Sequence, residues 1–479
     1  MRANTLFQKT LGLNLFTSDQ CEELHLASLE VLDSVGVKVH EKEALGLLHN
    51  AGARIDGNLV RIPAWMVQEA LTTAPCRIPI GNRQGERVML LERGRIYFGT
   101  GSDTQTTIDI YDGSRRATVK EDVINAAKVV DSLANIDFVM SLGIASDVPT
   151  MTSFVHQFEA MVLNTAKPIV YTADSSKDVA DIIEMAEIVA GGSEALRANP
   201  FMILYAEPSS PLQHSETAIQ KLLLCAGQRL PVMYIPTVML GASGPVTSAG
   251  SLIVANAEIL SGLVIHQLKA KGAPFIYGGS APPMDMKTAI CSYGAPEAIL
   301  NDAAMITLSQ YYNLPVFCTA GCSDAQVFDQ QAGLEAAFSM LLLGLAGGNL
   351  IHDLGYIGAG MTSSMEMLVL CNETASMVRH VLKGIEISPV TMALKVIKNA
   401  GPGGSFLTED HTLENFKNHL HFSELLNRFD YDRWKEAGSV DFGARANAKI
   451  REILEKHHAG SLPQDVVKAV QAVAARREP

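Results

Sequence analysis

The side chains able to do chemistry in this chain stand at the ends of short apolar segments, and they are of one kind. Tyr97, Tyr171, Tyr205, Tyr234, Tyr277 and Tyr356 close or follow such segments with Phe98, Phe275 and Phe317, while Glu207, Asp324 and the pair His352-Asp353 supply the charge. Lys and Arg are almost absent from the same places. Aromatic faces free of competing cations attract an ammonium that has no hydrogen to donate, because the ring quadrupole is negative on its face. A Schiff-base lysine would have to end a strand and none does, and no HxH or carboxylate cluster at the strand ends supports a hydrolytic metal. Cys318 and Cys322 with His352 could form a thiolate–imidazole zinc set. Two small buried residues lining a scaffold are the plainer reading.

Such residues need a frame that brings segment ends together. Between residues 95 and 385 a short apolar segment runs eight times into a Gly-, Ser-, Asp- or Tyr-rich stretch and then into an amphipathic helix. The strands predicted are Ile96–Gly99, Phe138–Leu142, Pro168–Tyr171, Phe201–Tyr205, Pro231–Ile235, Pro274–Tyr277, Pro315–Thr319 and Asn349–Asp353. This cycle predicts an α/β fold, a (β/α)₈ TIM barrel, whose chemistry sits on the loops that follow the strands. Asp178–Ala190, Ala249–Lys269, Glu297–Tyr311, Glu335–Leu345 and Ser364–Leu382 carry the helical periodicity.

The organisation expected is one decorated barrel over 1–479: a helical and hairpin extension over 1–94, the barrel over 95–385, and a rim loop with a helical tail over 386–479. In the extension, Asp19 is expected to cap a helix running to Val35, with further helices at Glu41–Ala51 and Pro63–Leu71. Arg93-Gly94 and Asp112-Gly113 are turn dipeptides of hairpins within 85–118. Gly401-Pro-Gly-Gly404 breaks regular structure and is expected to cross the barrel top; it lacks the GK[ST] of a phosphate cradle.

Composition narrows the class. A net charge of −13 lacks the basic stripe nucleic acid requires. No charged-apolar-small leader and no uninterrupted apolar span occurs, which predicts a cytoplasmic protein off the membrane. Seven scattered cysteines make no disulfide framework. The apolar helices suggest a homo-oligomer.

The ordered motifs Leu240-Gly-Ala-Ser-Gly-Pro-Val-Thr-Ser-Ala-Gly250 with Asn256-Ala-Glu258, Tyr277-Gly-Gly279 with Met284-Asp-Met286, Gly294-Ala-Pro-Glu297, Ser323-Asp-Ala325 with Asp329-Gln-Gln-Ala332, His352-Asp-Leu-Gly-Tyr356, and Gly401-Pro-Gly-Gly404 with His411-Thr412 resemble the trimethylamine methyltransferase superfamily along essentially the whole chain. The resemblance implies a barrel enzyme that moves a methyl group from a methylated amine to the cobalt of a partner corrinoid protein, with no tightly bound cofactor of its own. Trimethylamine members carry pyrrolysine, whereas every residue here is standard. That departure points to the non-pyrrolysine branch and to quaternary amines: glycine betaine, giving dimethylglycine, or proline betaine, carnitine or butyrobetaine. No metal is expected, since a quaternary amine is already electrophilic. On this reading His352 holds the substrate carboxylate with Asp353 setting its tautomer, and Tyr97, Tyr205, Tyr277 and Tyr356 cage the ammonium. Glu207 and Asp324 face the cation or bond neighbouring loop amides. Gly401, Gly403, Gly404 and His411 lie on a rim that meets the corrinoid partner. A betaine-binding protein without catalysis and a metal- or imine-dependent barrel lyase are the readings from other classes.

Overall fold

Local capping and periodicity shape the N-terminal elements of the structure, a computed structural model that describes residues 12–477. The outermost ends of the expected extension and tail fall outside those residues. Thr17 rather than Asp19 opens α1 (Ser18–Glu30), since its hydroxyl accepts from Gln20 N while the Gln20 amide oxygen accepts from Thr17 N. A π turn over Val31–Val35 extends the helix and Gly36, at φ 85°, stops it. β1 (Val37–Val39), α2 (Lys42–Ala51), β2 (Arg54–Asp56), β3 (Leu59–Arg61) and α3 (Ala64–Thr73) follow, the strands forming a small sheet. β4 (Ile78–Gly81) and β5 (Arg87–Leu91) then pair as an antiparallel hairpin.

The barrel begins with β6 (Tyr97–Thr100), the hairpin β7 (Thr106–Ile108) and β8 (Arg115–Ala117), and the helices α4 (Lys120–Ser132) and α5 (Ser153–Asn164). It continues through β9 (Ile169–Tyr171), α6 (Ser176–Ala190), α7 (Ser193–Ala198), β10 (Met202–Ala206), β11 (Gln213–His214), α8 (Glu216–Gln228) and β12 (Val232–Tyr234). The last units are α9 (Ser248–Lys269), β13 (Phe275–Gly278), α10 (Pro296–Tyr311), β14 (Val316–Thr319), α11 (Gln330–Ala346) and β15 (Leu350–Leu354), then β16 (Tyr356–Ile357), β17 (Thr362–Ser363) and α12 (Met365–Leu382). Seven expected strands form one parallel sheet in the order β6-β15-β14-β13-β12-β10-β9.

The strand expected at Phe138–Leu142 is reduced to single bridges, Gly99 with Phe138 and Val139 with Ile169. It still lies between β6 and β9 and completes the ring. Side chains replace its ladder: Asp137 Oδ2 accepts from Phe98 N at 2.7 Å, and Thr100 Oγ1 donates to Met140 O at 2.9 Å and accepts from Met140 N at 2.7 Å. Leu142, at φ 60°, then turns the chain aside.

Alternation along the strands separates two cores. Val170, Ile203, Met233, Ile276, Phe317 and Leu350 point inward and meet Ile78, Ile80, Met89 and Leu91 of the β4–β5 hairpin, which plugs the end where the strands begin. Tyr171, Leu204, Tyr234, Phe275, Tyr277 and Cys318 point outward into the layer shared with the helices. Helix α9 is long and apolar enough to cross a bilayer, yet 72% of its apolar window is buried within the fold.

α12 returns to the plugged end, where Arg379 pairs with Asp137 and lies 5.4 Å from the Phe98 ring centre. An excursion containing α13 (Leu394–Ala400) and α14 (Asp410–His419) follows. It comes back beside the second half of α12, His421 Nε2 lying 3.0 Å from Ser376 Oγ and Ser423 donating to Glu373. The glycine loop expected across the barrel top is part of this excursion. α15 (Tyr431–Glu436) precedes α16 (Phe442–Lys456), which runs down the barrel from Asn447, bonded to Glu366 at 2.7 Å, to His457, 2.8 Å from Asp131. α17 (Gln464–Ala475) ends in ion pairs from Arg476 and Arg477 to Glu184 and Asp178 of α6.

Candidate active site

Above the inward Phe317 the barrel opens into a cavity of about 510 Å³ built from the loops after β6, β9, β10, β13 and β15. Its walls bring together Asp103, Tyr205, Glu207, Tyr293, His352, Asp353 and Tyr356, with Phe154, Thr172, Asp174 and Lys221. A hollow of similar size, about 590 Å³, lies outside the barrel between α1, α9 and α10, but its lining is mainly aliphatic and lacks such a cluster. Two of the carboxylate residues stand on backbone that L-residues seldom adopt: Asp103 at φ 64° and Asp353 at φ 73°. Such conformations cost of order 1–3 kcal/mol and persist only where the surroundings enforce them.

The mouth is stitched by a sheet in the order β16-β17-β7-β8. β17 pairs with β7 through Thr362↔Thr106 and Ser363↔Thr107, which ties the loop after β15 to the loop after β6. Within this frame the Tyr356 hydroxyl donates to Ser102 O, and the backbone at Gly101 passes close beneath. A Cβ on Gly101 would lie 2.2 Å from Tyr356 Cζ and 2.5 Å from Asp353 Oδ1. Only glycine allows that approach.

His352 is held by one hydrogen bond and one close approach to a carboxyl. Its Nδ1 lies 2.9 Å from Cys318 O and its Nε2 lies 3.1 Å from Asp353 Oδ1, while the ring packs on Phe317 with centroids 3.9 Å apart. A carbonyl oxygen only accepts, so Nδ1 carries the proton. Burial pushes the imidazole down to about 3, which keeps it neutral and makes Nε2 an acceptor. Burial, reinforced by the field of Asp302 and Glu207, raises Asp353 well above the ordinary carboxylate range. The pair therefore sets a neutral imidazole beside a carboxyl whose neutral form burial favours. This bears on the expected role of His352: burial favours the uncharged ring, which is a poor clamp for a carboxylate.

Burial likewise raises Asp103, against hydrogen bonds from Ser102, Thr172 and Ser141. Glu207 accepts from the Tyr205 hydroxyl. It stands at the exposed edge of the cavity with its carboxyl turned into dense protein, and burial raises it as well. The edge position makes its shift the weaker constraint. The phenols of Tyr205, Tyr293 and Tyr356 are held well above their usual range, first by burial and then by carboxylates including Asp353. All three rings therefore remain neutral.

Of the residues singled out from sequence, Tyr205, Glu207, His352, Asp353 and Tyr356 meet in this cavity. Tyr97 does not. It begins its strand at the plugged end, where its hydroxyl accepts from Leu90 N at 2.9 Å. Tyr277 faces outward and donates to Asn256 Oδ1 at 2.9 Å, beside the Tyr312 ring. Asp324 lies behind the wall: it accepts from Ser292 Oγ, from Tyr293 N at 3.0 Å and from Gly294 N at 3.2 Å, and so aims Tyr293. Gly401, Gly403, Gly404 and His411 are in the excursion from α12, where Gly401 ends α13 and His411 Nε2 lies 3.2 Å from Val390 O. None of these four touches the cavity lining. Cys318 faces the helix layer, and among the described residues no three His, Cys, Asp or Glu side chains converge as metal ligands.

Sequence reasoning missed Asp103, Asp174, Tyr293 and Lys221. The signal for the first two was present, since each stands three residues past its strand as Glu207 stands one past its own, and the three line the cavity with Asp353. Tyr293 is remote from its strand. Lys221 arrives from a helix turn rather than a strand end.

The fold is shared with solved structures, and the sequence with a known family. The family model for trimethylamine methyltransferase (MTTB) matches residues 2–479. The trimethylamine methyltransferase MttB of Desulfitobacterium hafniense is 32% identical over 469 residues, which cover 98% of this chain and 94% of that protein. MttB of Methanosarcina barkeri is 34% identical over 468 residues, covering 96% and 94%. The glycine betaine methyltransferase of Desulfitobacterium hafniense is 28% identical over 466 residues, covering 97% of each. Among solved structures, the monomethylamine methyltransferase MtmB of Methanosarcina barkeri superposes with a TM-score of 0.53 at 13% identity over 94% of this chain and 89% of that one, a likeness of fold. With a whole-chain family match and relatives above 30% identity on nearly full coverage, this chain belongs to the trimethylamine methyltransferase family.

Proposed function

We propose that this protein removes a methyl group from a quaternary amine, glycine betaine first among candidates, and delivers it to a Co(I) corrinoid carried by a partner protein. One observation carries the reading: Tyr205, Tyr293 and Tyr356 line, with Asp353, Glu207 and Asp103, one cavity that opens at the strand ends, and all three phenols lie within the field of Asp353. Neutral phenols and acidic groups stabilise a fixed cation that forms no hydrogen bond, through ring faces and through charge. The corrinoid supplies the nucleophile that accepts the methyl group.

The chain's own residues bind, orient and adjust charge. An ammonium seated among the three rings favours ionised Asp353, so its proton is released on binding. As the methyl group leaves, the nitrogen becomes a neutral tertiary amine, and the same carboxyl groups are placed to exchange a proton with it. Holding the N–CH₃ axis along the open mouth converts an encounter into an in-line transfer. The fit to a corrinoid partner rests on that open side, rimmed by Ser209, Ala359 and Met361, and not on the loop at Gly401–Gly404.

All seven cysteines are free, which fits a reducing compartment such as the cytoplasm. The excursion from α12 exposes Leu394, Leu407 and Leu413, which fits a homo-oligomer.

The test is absorbance of a Co(I) corrinoid protein mixed with enzyme and a panel of glycine betaine, proline betaine, carnitine, butyrobetaine and trimethylamine. Methylation with dimethylglycine appearing from betaine, and none from trimethylamine, is the expected result. Equal turnover of trimethylamine, or betaine bound without methyl loss, overturns the reading.

A further inference from the structure

Lys221 is the only lysine or arginine in the cavity lining, and it is poorly used by the protein itself. Its ammonium donates to Ala173 O at 2.6 Å, and it forms no ion pair with a carboxylate among the described residues. An ammonium has three hydrogens to give. The chain offers its own contrast in Lys167, at the plugged end, which donates to Val130 O, Leu133 O and Ile136 O at 2.6 Å each and is saturated by the fold. Lys167 is what a structural lysine looks like here. Lys221 gives one hydrogen bond to the fold and lines the cavity, with Asp174, Glu207 and Asp178 as its charged neighbours.

The position is polar in a second sense. Tyr205, Tyr293, Tyr356 and Asp353 gather on the β10, β13 and β15 side, whereas Lys221 projects from α8 beside Thr217 and Ala218, next to the loop after β9. The cavity thus has an aromatic part around Asp353 and one cationic group, Lys221, which lies in the field of Asp174, Glu207 and Asp178. We infer that Lys221 holds the carboxylate of a zwitterionic substrate, so that the enzyme selects quaternary amines that carry an anion at the far end from the ammonium. The inference rests on the quaternary-amine reading and narrows its substrate class. It also gives the substrate carboxylate a cationic partner, which His352, held neutral by burial, is not.

The experiment measures binding of glycine betaine and of choline, which has the same ammonium and no carboxylate, to the full-length protein by isothermal titration calorimetry. K221M keeps the length of the side chain and removes the charge, and K221R restores a cation. Loss of a charged hydrogen bond predicts betaine affinity about 10- to 100-fold weaker in K221M, choline affinity changed less than about threefold, and most of the betaine affinity recovered in K221R. In the Co(I) corrinoid assay the K221M defect falls on KM more than on kcat. Circular dichroism and melting temperature check that each variant folds, and K221R carries the test should K221M misfold, its betaine-to-choline ratio staying on the wild-type side. Betaine and choline weakened together, or betaine unchanged in K221M, overturns the role of Lys221 and leaves methyl transfer standing. A wild-type protein that prefers betaine through Lys221 but moves no methyl group to Co(I) removes the methyltransferase reading and leaves the Lys221 role standing.

Discussion

At the residue scale the site rests on close approaches and on protons. Gly101 is the clearest case: a methyl group there meets both Tyr356 and Asp353 at less than contact distance. Gly101→Ala should lower kcat/KM for betaine by an amount equivalent to roughly 1–3 kcal/mol, the usual cost of overpacking, with a smaller change in melting temperature. A loss of stability with kcat/KM untouched would show that the two side chains simply move aside. The carboxyls set a pH dependence whose sign is fixed. Asp353, Glu207 and Asp103 are raised by burial, so in the free protein they stay protonated through the ordinary carboxylate range. Stability from their neutral forms is present at low pH and is lost as pH rises through their folded values. A bound cation reverses the preference, since it is stabilised by the ionised forms. Betaine affinity should therefore increase as pH rises above the carboxylate range, with protons released on binding, measurable by calorimetry in buffers of different ionisation enthalpy. A flat profile would mean the carboxyls do not face the cation. The sequence revealed Tyr205, Glu207, Asp353 and Tyr356 because each sits at or just past its strand; it misled at Tyr97 and Tyr277 because residue type at a strand does not say which face or which end.

At the level of elements, the barrel was readable because seven strands alternate cleanly and are followed by periodic helices. The second strand escaped because its hydrogen bonds run through Asp137 and Thr100 side chains, a substitution that apolar patterning does not register. Thr100→Val should then cost about 1–3 kcal/mol, since it leaves buried backbone groups of Met140 unpaired. The β4–β5 hairpin was not foreseen: Arg93-Gly94, expected to turn a hairpin, joins β5 to β6, which do not pair, while Asp112-Gly113 does turn the β7–β8 hairpin. Met89 and Ile80 complete the inner core. Met89→Ala should destabilise the fold by about 2–5 kcal/mol in denaturant titrations while betaine affinity stays close to wild type, because the plug and the cavity lie at opposite ends.

For the whole molecule, sequence gave the right scaffold and family resemblance but misplaced the C-terminal excursion, whose glycines signalled a break without signalling direction. Helix α12 decides it, carrying the chain to the plugged end before the glycines occur. The absence of converging ligands among the described residues leads to a bulk test: after dialysis against a chelator, methyl transfer from betaine should persist at the untreated rate. Activity lost on chelation and regained with zinc would overturn the mechanism.

The sheet that joins β17 to β7 also has a consequence for the order of assembly. Ser102 and Tyr356, bonded across the mouth, are 254 residues apart in the chain. Contacts of such separation form late, after their loop-closure entropy has been met by the rest of the barrel. A nascent chain lacking β15 to β17 has no binding cavity, and the last piece of the molecule to become protected from hydrogen exchange during refolding should be the one that binds substrate.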